Sequence, residues 1–303
     1  MILDTFDNKW VKAEFVGDFP SGSAQWHELR KDGLGGSEVG TVAGLNKWES
    51  AYTLWAKKTG LIDESVEQSE AMEAGTLLER FILENYFDRL NDYQIFHAPG
   101  TFADGWQHAN PDGLFVDDGE LCLWECKTAR FEDDWQVYPR GVRGGNDDIP
   151  RAYLSQMQWY LRVLGLKRGV LSVLFGGQKY REYDIVADQL WQDADLAVAS
   201  AFWNCVLTGE APGWDGSNST YETVRAITPG IDADAKIELP SALWADYQLA
   251  VYNAKQTDSN LTQLKSQVVA FMGEAKAATV DGAVVVVRQA GRNGGLPYLV
   301  NKF

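Results

Sequence analysis

Residues 110–127 read Asn-Pro-Asp-Gly-Leu-Phe-Val-Asp-Asp-Gly-Glu-Leu-Cys-Leu-Trp-Glu-Cys-Lys, two apolar runs joined by Asp118-Gly119. Asp-Gly between apolar runs is the strongest short-range signal for a β-hairpin, because both residues of the favoured turn take positive φ. A two-residue loop there sets the register and puts Asp112 directly across from Glu125. Opposed Cβ atoms lie about 4.5–5.5 Å apart, and residues two apart share a face, so Glu125 and Lys127 project beside Asp112. The opposite face, Cys122, Trp124 and Cys126, is apolar and suits a core, so these cysteines read as small buried hydrophobes. A longer loop would carry Asp112 out of opposition.

Two opposed carboxylates repel each other unless something neutralises them. A hard divalent cation does so, and Mg²⁺ typically takes one or two carboxylates together with water and substrate phosphate. Lys127 beside such a pair is suited to orient or deprotonate a water, or to stabilise charge developing on phosphorus. From spacing alone the alternative is a polar hairpin face with an incidental acidic pair.

Around the hairpin, apolar periodicity predicts the elements. Residues 1–25 read as loop, with Gly17, Pro20, Ser21 and Gly22 near the end. Ser37, after Gly35-Gly36, is the expected N-cap of a short helix with Val39, Val42 and Ala43 apolar and Gly44 its stop. Ser50 caps a second helix, with Ala51, Leu54 and Trp55 on one face and Gly60 at its end. After the polar stretch 63–70, Ala74, Leu78, Phe81, Ile82 and Asn85 share a face of a longer helix. Residues 93–127 break into short runs at Pro99-Gly100, Asp104-Gly105 and Asp118-Gly119, a strand signature. Pro150 suits the first position of a helix ended by Gly165. Strands 169–175 and 180–186 then flank Gly176-Gly177. Asp188 opens a helix whose apolar face is Leu190, Trp191, Ala194, Val198, Ala201, Phe202 and Cys205. The expected organisation is a core over 1–209, a linker or long connection over 210–236, and a C-terminal extension over 237–303, helical and then in short strands. The fold class is α/β (α+β), a central mixed sheet flanked by helices.

A chain of 303 residues buries about three quarters of its unfolded surface. With 45% hydrophobic and 23% charged residues it is not a largely disordered chain. No apolar run approaches the roughly 18 residues of a membrane helix. The N-terminus lacks the basic-then-apolar pattern of a secretion signal, and three cysteines are too few for a disulfide framework. A cytoplasmic protein with no membrane partner is expected. The net charge of −16, taken alone, argues against nucleic acid as a partner. Charge is unevenly distributed, however. Residues 137–181 carry eight Lys and Arg against two Asp, a basic stretch flanking the hairpin where a DNA track is expected.

Pro111-Asp112 followed by Glu125-Cys126-Lys127 resembles the PD-(D/E)xK nuclease motif. Three further segments resemble, in order, motifs of the phage-lambda-type exonucleases and YqaJ-like viral recombinases. They are Trp26-His27-Glu28-Leu29-Arg30 with Gly36-Ser37-Glu38-Val39; Gly75-Thr76-Leu77-Leu78-Glu79; and Tyr153-Leu154-Ser155-Gln156-Met157-Gln158-Trp159-Tyr160. The match spans roughly residues 26–186 and implies a restriction-endonuclease-like core. It implies Asp112 and Glu125 as metal ligands together with the backbone carbonyl of Cys126, Lys127 as the residue positioning the attacking water, and Glu79 close to the metals. Helix neighbours Gly75, Ile82 and Leu83 suit an inward Glu79; periodicity alone reads it as a solvent-exposed charge. Arg30 and Ser37 match residues holding a terminal 5′-phosphate, which agrees with the anion affinity of a helix N-terminus and a guanidinium fork. Ser37 acting only as a cap is the plainer alternative.

Gln156 and Gln158 are implied DNA-binding residues. Gln158 shares the stripe Leu154, Met157, Leu161 and Leu164, so it is expected to face the sheet and find partners in the cleft; a satisfied core glutamine is the alternative. Asn110 departs from the small hydroxyl residue of some relatives. His27 and His108 read as structural, and nothing indicates zinc. Iron–sulfur nucleases with the same core need cysteine ligands that are missing here.

The implied activity is a Mg²⁺-dependent 5′-to-3′ exonuclease on linear double-stranded DNA, with Mn²⁺ as a substitute, leaving 3′ overhangs for phage-type recombination. DNA ends, a ring-shaped homo-oligomer, a single-strand annealing protein and a phage or prophage origin in a bacterial host accompany that reading. Two others stand beside it: a structure- or site-specific endonuclease of the same fold, and a non-catalytic DNA-binding protein on a decayed nuclease fold.

Overall fold

Asp118 and Gly119 both take positive φ, 49° and 78°. The strands they join pair Gly113 with Trp124 and Asp117 with Glu120, the register of a two-residue loop. The computed structural model describes residues 2–3, 10–19, 23–63, 70–97, 99–291 and 295–302. Residues 20–22, read as loop, and residues 64–69 of the polar stretch lie outside these. The chain divides into two compact units, residues 1–230 and 231–303.

The first unit begins with β1 (Ile2–Leu3), β2 (Glu14–Gly17), α1 (Ala24–Lys31), β3 (Leu34–Gly35), α2 (Gly36–Val42) and α3 (Ala51–Lys58). Next comes α4 (Glu70–Ile82), continued by a π-turn (Leu83–Phe87) into α5 (Asp88–Leu90). Strands β4 (Gln94–His97), β5 (Thr101–Asp104), β6 (Gln107–Ala109), β7 (Gly113–Asp117) and β8 (Glu120–Ala129) come after it. The unit ends with α6 (Arg151–Leu164), β9 (Arg168–Phe175), β10 (Lys179–Val186), α7 (Gln189–Thr208) and α8 (Asn218–Ile227).

A six-stranded mixed sheet runs β1-β4-β7-β8-β9-β10, and a smaller one runs β2-β5-β6-β3. β8 and β9 are parallel, so the chain must cross over between them, and α6 is that crossover. Side chains alternate across the sheet. Leu123, Leu171 and Val173 pack with Leu154, Met157 and Leu161 of α6 on one face. Trp124, Cys126, Val170 and Leu174 pack with Ile82, Leu83 and Phe87 on the other, and all three cysteines are free thiols. Glu125 and Lys127 therefore emerge on the α6 side.

Four local details differ from the periodicity reading. The cap of α2 is Gly35, not Ser37, because Glu38 reaches back to accept from the Gly35 N–H at 2.8 Å. Ser37 instead sits in the first turn. In α4 the expected face fails at Phe81, which is exposed, while Ile82, Leu83 and Phe87 are fully buried. The π-turn inserts one residue into the helical phase and rotates the side chains beyond it. In α7, Leu190 is 84% exposed, and Gln192, Asp195, Ala199, Phe202 and Trp203 face inward. Hydrogen bonds to α6, rather than apolar count, choose that face: Gln192 donates to Gln158 and Ser155 to Asp195. Pro150 is the residue before α6 rather than its first.

Within residues 210–236, α8 docks on α3 through hydroxyls. Thr53 Oγ1 lies 2.7 Å from Ser219 and 2.8 Å from Thr223, and Thr220 donates to Ser50. The second unit consists of α9 (Ser241–Met272) and an antiparallel meander, β11 (Ala277–Val280), β12 (Ala283–Gln289) and β13 (Tyr298–Asn301). Another Asp-Gly turn, Asp281-Gly282, joins β11 to β12. Among the described residues no helix is long and apolar enough to cross a membrane.

Candidate active site

The hairpin register carries Asp112, one residue before β7, to the side of Glu125 on β8. The Asp112 N–H donates to Glu125 Oε2 at 3.4 Å, and the Cys126 N–H donates to Asp112 Oδ2 at 2.9 Å. Glu125 is 2% exposed. Its Oε1 accepts from Lys127 Nζ and from Gln156 Nε2, both at 2.6 Å. Gln156 comes from α6, so the crossover helix delivers it to the sheet. Tyr160, one turn on, accepts from Gln156 at 3.4 Å.

Burial pushes the Asp112 carboxyl well above its ordinary range, and the Glu125 charge pushes it further. Burial likewise raises Glu125, against the pull of Lys127. Burial opposes the Lys127 ammonium, but Glu125 and Asp112 outweigh it and hold the lysine protonated. This pair is short of positive charge. Its donors, two carboxylates with the carbonyl of the residue after Glu125, suit a hard, oxygen-seeking divalent ion.

Glu79, on α4, places Oε1 3.1 Å from His97 Nε2 and adds its charge to those raising Asp112 and Glu125. It does not close on them. Among the described residues no group of three or more His, Cys, Asp or Glu is assembled to hold a metal ion.

A cavity of about 220 Å³ opens beside this cluster. Asp112, Glu125, Lys127 and Gln156 line it, as do Trp26, Arg30, Gly35 and Ser37. Arg30, in the last turn of α1, lies 4.5 Å over the Trp26 ring and donates to Glu38. Gly36 is required where it stands, since a Cβ there would come within 2.5 Å of the Tyr160 ring. His108 also lines the cavity rather than serving the core alone. Burial, then the Lys58 cation, hold its imidazole below the ordinary value. Asn110 lines the cavity too and accepts from Thr101.

Gln158 is not in this site. It is fully buried on another side of α6, donating to the Val186 carbonyl and accepting from the Asp188 N–H and Gln192. It ties β10 to α7 as a satisfied core amide. Gln156, two residues earlier, takes the site position because helical residues two apart point about 200° apart, to nearly opposite sides of α6. Sequence reading also passed over Glu38, Lys58 and Tyr160. Lys58 carried a signal, since it stands three and four residues after Trp55 and Leu54 and so on the buried face of α3.

The mixed α/β core carries an acidic pair and a lysine on its central hairpin, the arrangement that the resemblance to the PD-(D/E)xK motif implies. Residues 25–167 match the YqaJ-like viral recombinase domain. The chain is 30% identical over 266 residues to the uncharacterised protein YqaJ of Bacillus subtilis (strain 168), covering 83% of this chain and 79% of that one. It is 34% identical over 159 residues to protein D345L of African swine fever virus (strain Badajoz 1971 Vero-adapted), 45% of this chain and 44% of that. Among solved structures, an alkaline exonuclease from Laribacter hongkongensis superposes with a TM-score of 0.48 at 18% identity, over 69% of this chain and 100% of that. The chain belongs to the YqaJ-like viral recombinase family.

Proposed function

We propose that this chain is a Mg²⁺-dependent exonuclease that digests linear double-stranded DNA from 5′ ends and leaves 3′ overhangs for homologous recombination. Family membership supports the reading, and one observation carries it: the Asp112–Glu125–Lys127 cluster and the Arg30–Ser37 pair line the same cavity. A hydrolytic group beside an anion-binding group suits a strand end whose terminal phosphate is gripped while the next bond is cut.

Asp112, Glu125 and the Cys126 carbonyl are the residues that would hold the ion, with Glu79 nearby. Bound there, it supplies Lewis-acid chemistry, neutralising phosphate charge and acidifying water. Lys127, held protonated, donates to the attacking water or to a phosphate oxygen. Gln156 and Lys127 together hold the Glu125 carboxylate in one orientation. Arg30 and the Ser37 hydroxyl take the terminal phosphate, bringing the first phosphodiester to the acidic pair.

The test is mononucleotide release from a 5′-phosphorylated linear duplex with Mg²⁺. Release that requires both an end and a divalent ion is expected. No release with any divalent ion sinks the reading, and cutting of covalently closed circles replaces it with an endonuclease. The proposal extends to a ring-shaped homo-oligomer and a single-strand annealing partner, on the strength of the family alone; native mass and pull-down with a purified annealing protein test them.

A further inference from the structure

We infer that Lys58 and Glu38 are positioning residues for Arg30 and so set the preference for a phosphorylated over a hydroxyl 5′ end. The inference rests on the end-reading pocket proposed above. Arg30 Nη2 donates to Glu38 Oε1 at 2.5 Å, and Lys58 Nζ donates to the same oxygen at 3.0 Å. Lys58 Nζ also donates to the backbone carbonyl of Arg30 at 2.5 Å. Glu38 Oε2 is occupied by the Gly35 N–H, which fixes the carboxylate from its other side. Arg30 is thus gripped at its backbone and at its side chain by a single Lys–Glu pair.

The Lys58 side chain is 0% exposed and that of Glu38 3%, whereas Arg30 keeps 27% of its side chain accessible. A buried lysine is expensive, and apolar residues of similar size commonly do as well or better for stability. Tyr52, Leu54 and Trp55 are buried on the same helix, so apolar burial already supplies the packing of α3. Stability alone therefore does not account for Lys58. Function does, in two ways. Arginine gives up rotamer entropy when immobilised, and holding it before the ligand arrives removes that loss from binding. Lys58 also balances the charge of Glu38, so the three side chains together keep one positive charge at the pocket. Burial raises the Glu38 carboxyl, but Lys58 and Arg30 outweigh it and hold Glu38 ionised.

The experiment measures kcat and KM of the full-length protein on 5′-phosphoryl and 5′-hydroxyl duplexes with Mg²⁺. Anisotropy binding of both duplexes in chelator runs alongside. In Lys58→Met the phosphoryl-to-hydroxyl ratio of kcat/KM falls about tenfold, chiefly through KM, and the binding ratio falls with it. In an Arg30→Ala background, Lys58→Met changes the ratio by less than twofold, because its effect passes through Arg30. If Lys58→Met fails to fold by circular dichroism, Glu38→Gln is expected to lower the ratio in the same direction. Equal losses on both ends, or effects that add to those of Arg30→Ala, overturn the inference. A wild-type protein that hydrolyses neither duplex defeats the proposed activity instead, and the binding ratios still decide the roles of Lys58 and Glu38.

Discussion

Asp195 is buried between α6 and α7, with Oδ1 accepting from Ser155 and Oδ2 unpartnered among the described residues. Burial pushes its carboxyl up to about 6 from an ordinary 3.8. A raised carboxyl binds its proton more tightly in the folded state, so the folded protein loses stability as pH climbs from about 4 to 6. Asp195→Asn removes that loss. The variant should gain on the order of 2 kcal/mol over wild type above pH 6 and nothing below pH 4, as read from denaturant midpoints across that range; a pH-independent difference would contradict the burial argument. At the reacting end, Lys127→Ala should lower hydrolysis by about 10²–10⁴, measured as initial rates on protein shown to be folded. An unchanged rate takes Lys127 out of the chemistry. Asp112, Glu125 and Lys127 were legible because two neighbouring strands and a short turn leave one register open. The apolar stripe of α6 pointed to Gln158 as the cleft glutamine, and it is Gln156 that meets Glu125, because only the packing of α6 says which amide reaches the site.

Among the elements, the β7–β8 hairpin is the most completely written in local sequence, since Asp118-Gly119 and the alternation of β8 agree. Gly119→Val places a β-branched residue at φ 78°. It should cost about 1–2 kcal/mol, seen as a lower denaturant midpoint, and by loosening the register it should also slow hydrolysis. Intact stability would mean the turn can re-form in another type. Helix phase was harder to read. In α4 the π-turn resets the periodicity between Ile82 and Phe87, and no single-period template contains such a reset. In α7 the inward face bears Gln192 and Asp195, which an apolar template assigns to solvent. The helix α8 lies in a segment rich in turn formers, and its docking depends on Ser50 and Thr53, about 170 residues away in sequence.

For the molecule as a whole, charge distribution changes the expected encounter with DNA. Of the eight cations in residues 137–181, five are in ion pairs: Arg143 with Glu182 and Asp184, Arg162 with Asp193, Lys167 with Glu120, Arg168 with Asp117 and Lys179 with Glu132. A sixth, Arg181, donates to the Tyr138 carbonyl. The basic stretch is thus partly paired with carboxylates within the fold, several of those pairs exposed at the surface, and Arg30 of the pocket stands outside that segment. With two or three phosphates contacted, the logarithm of affinity for duplex should fall against log salt with a slope of about −2 to −3. A slope near −6, measured by titration in chelator, would restore the basic track. The sequence by itself determined the β7–β8 hairpin, its register and the family, because these depend on contacts a few residues apart or on motifs written in order. Only the tertiary structure decided which glutamine serves the site, which cations remain available and how Lys58 and Glu38 hold Arg30. Those outcomes depend on partners distant in the chain, which pairwise geometry selects and local pattern cannot.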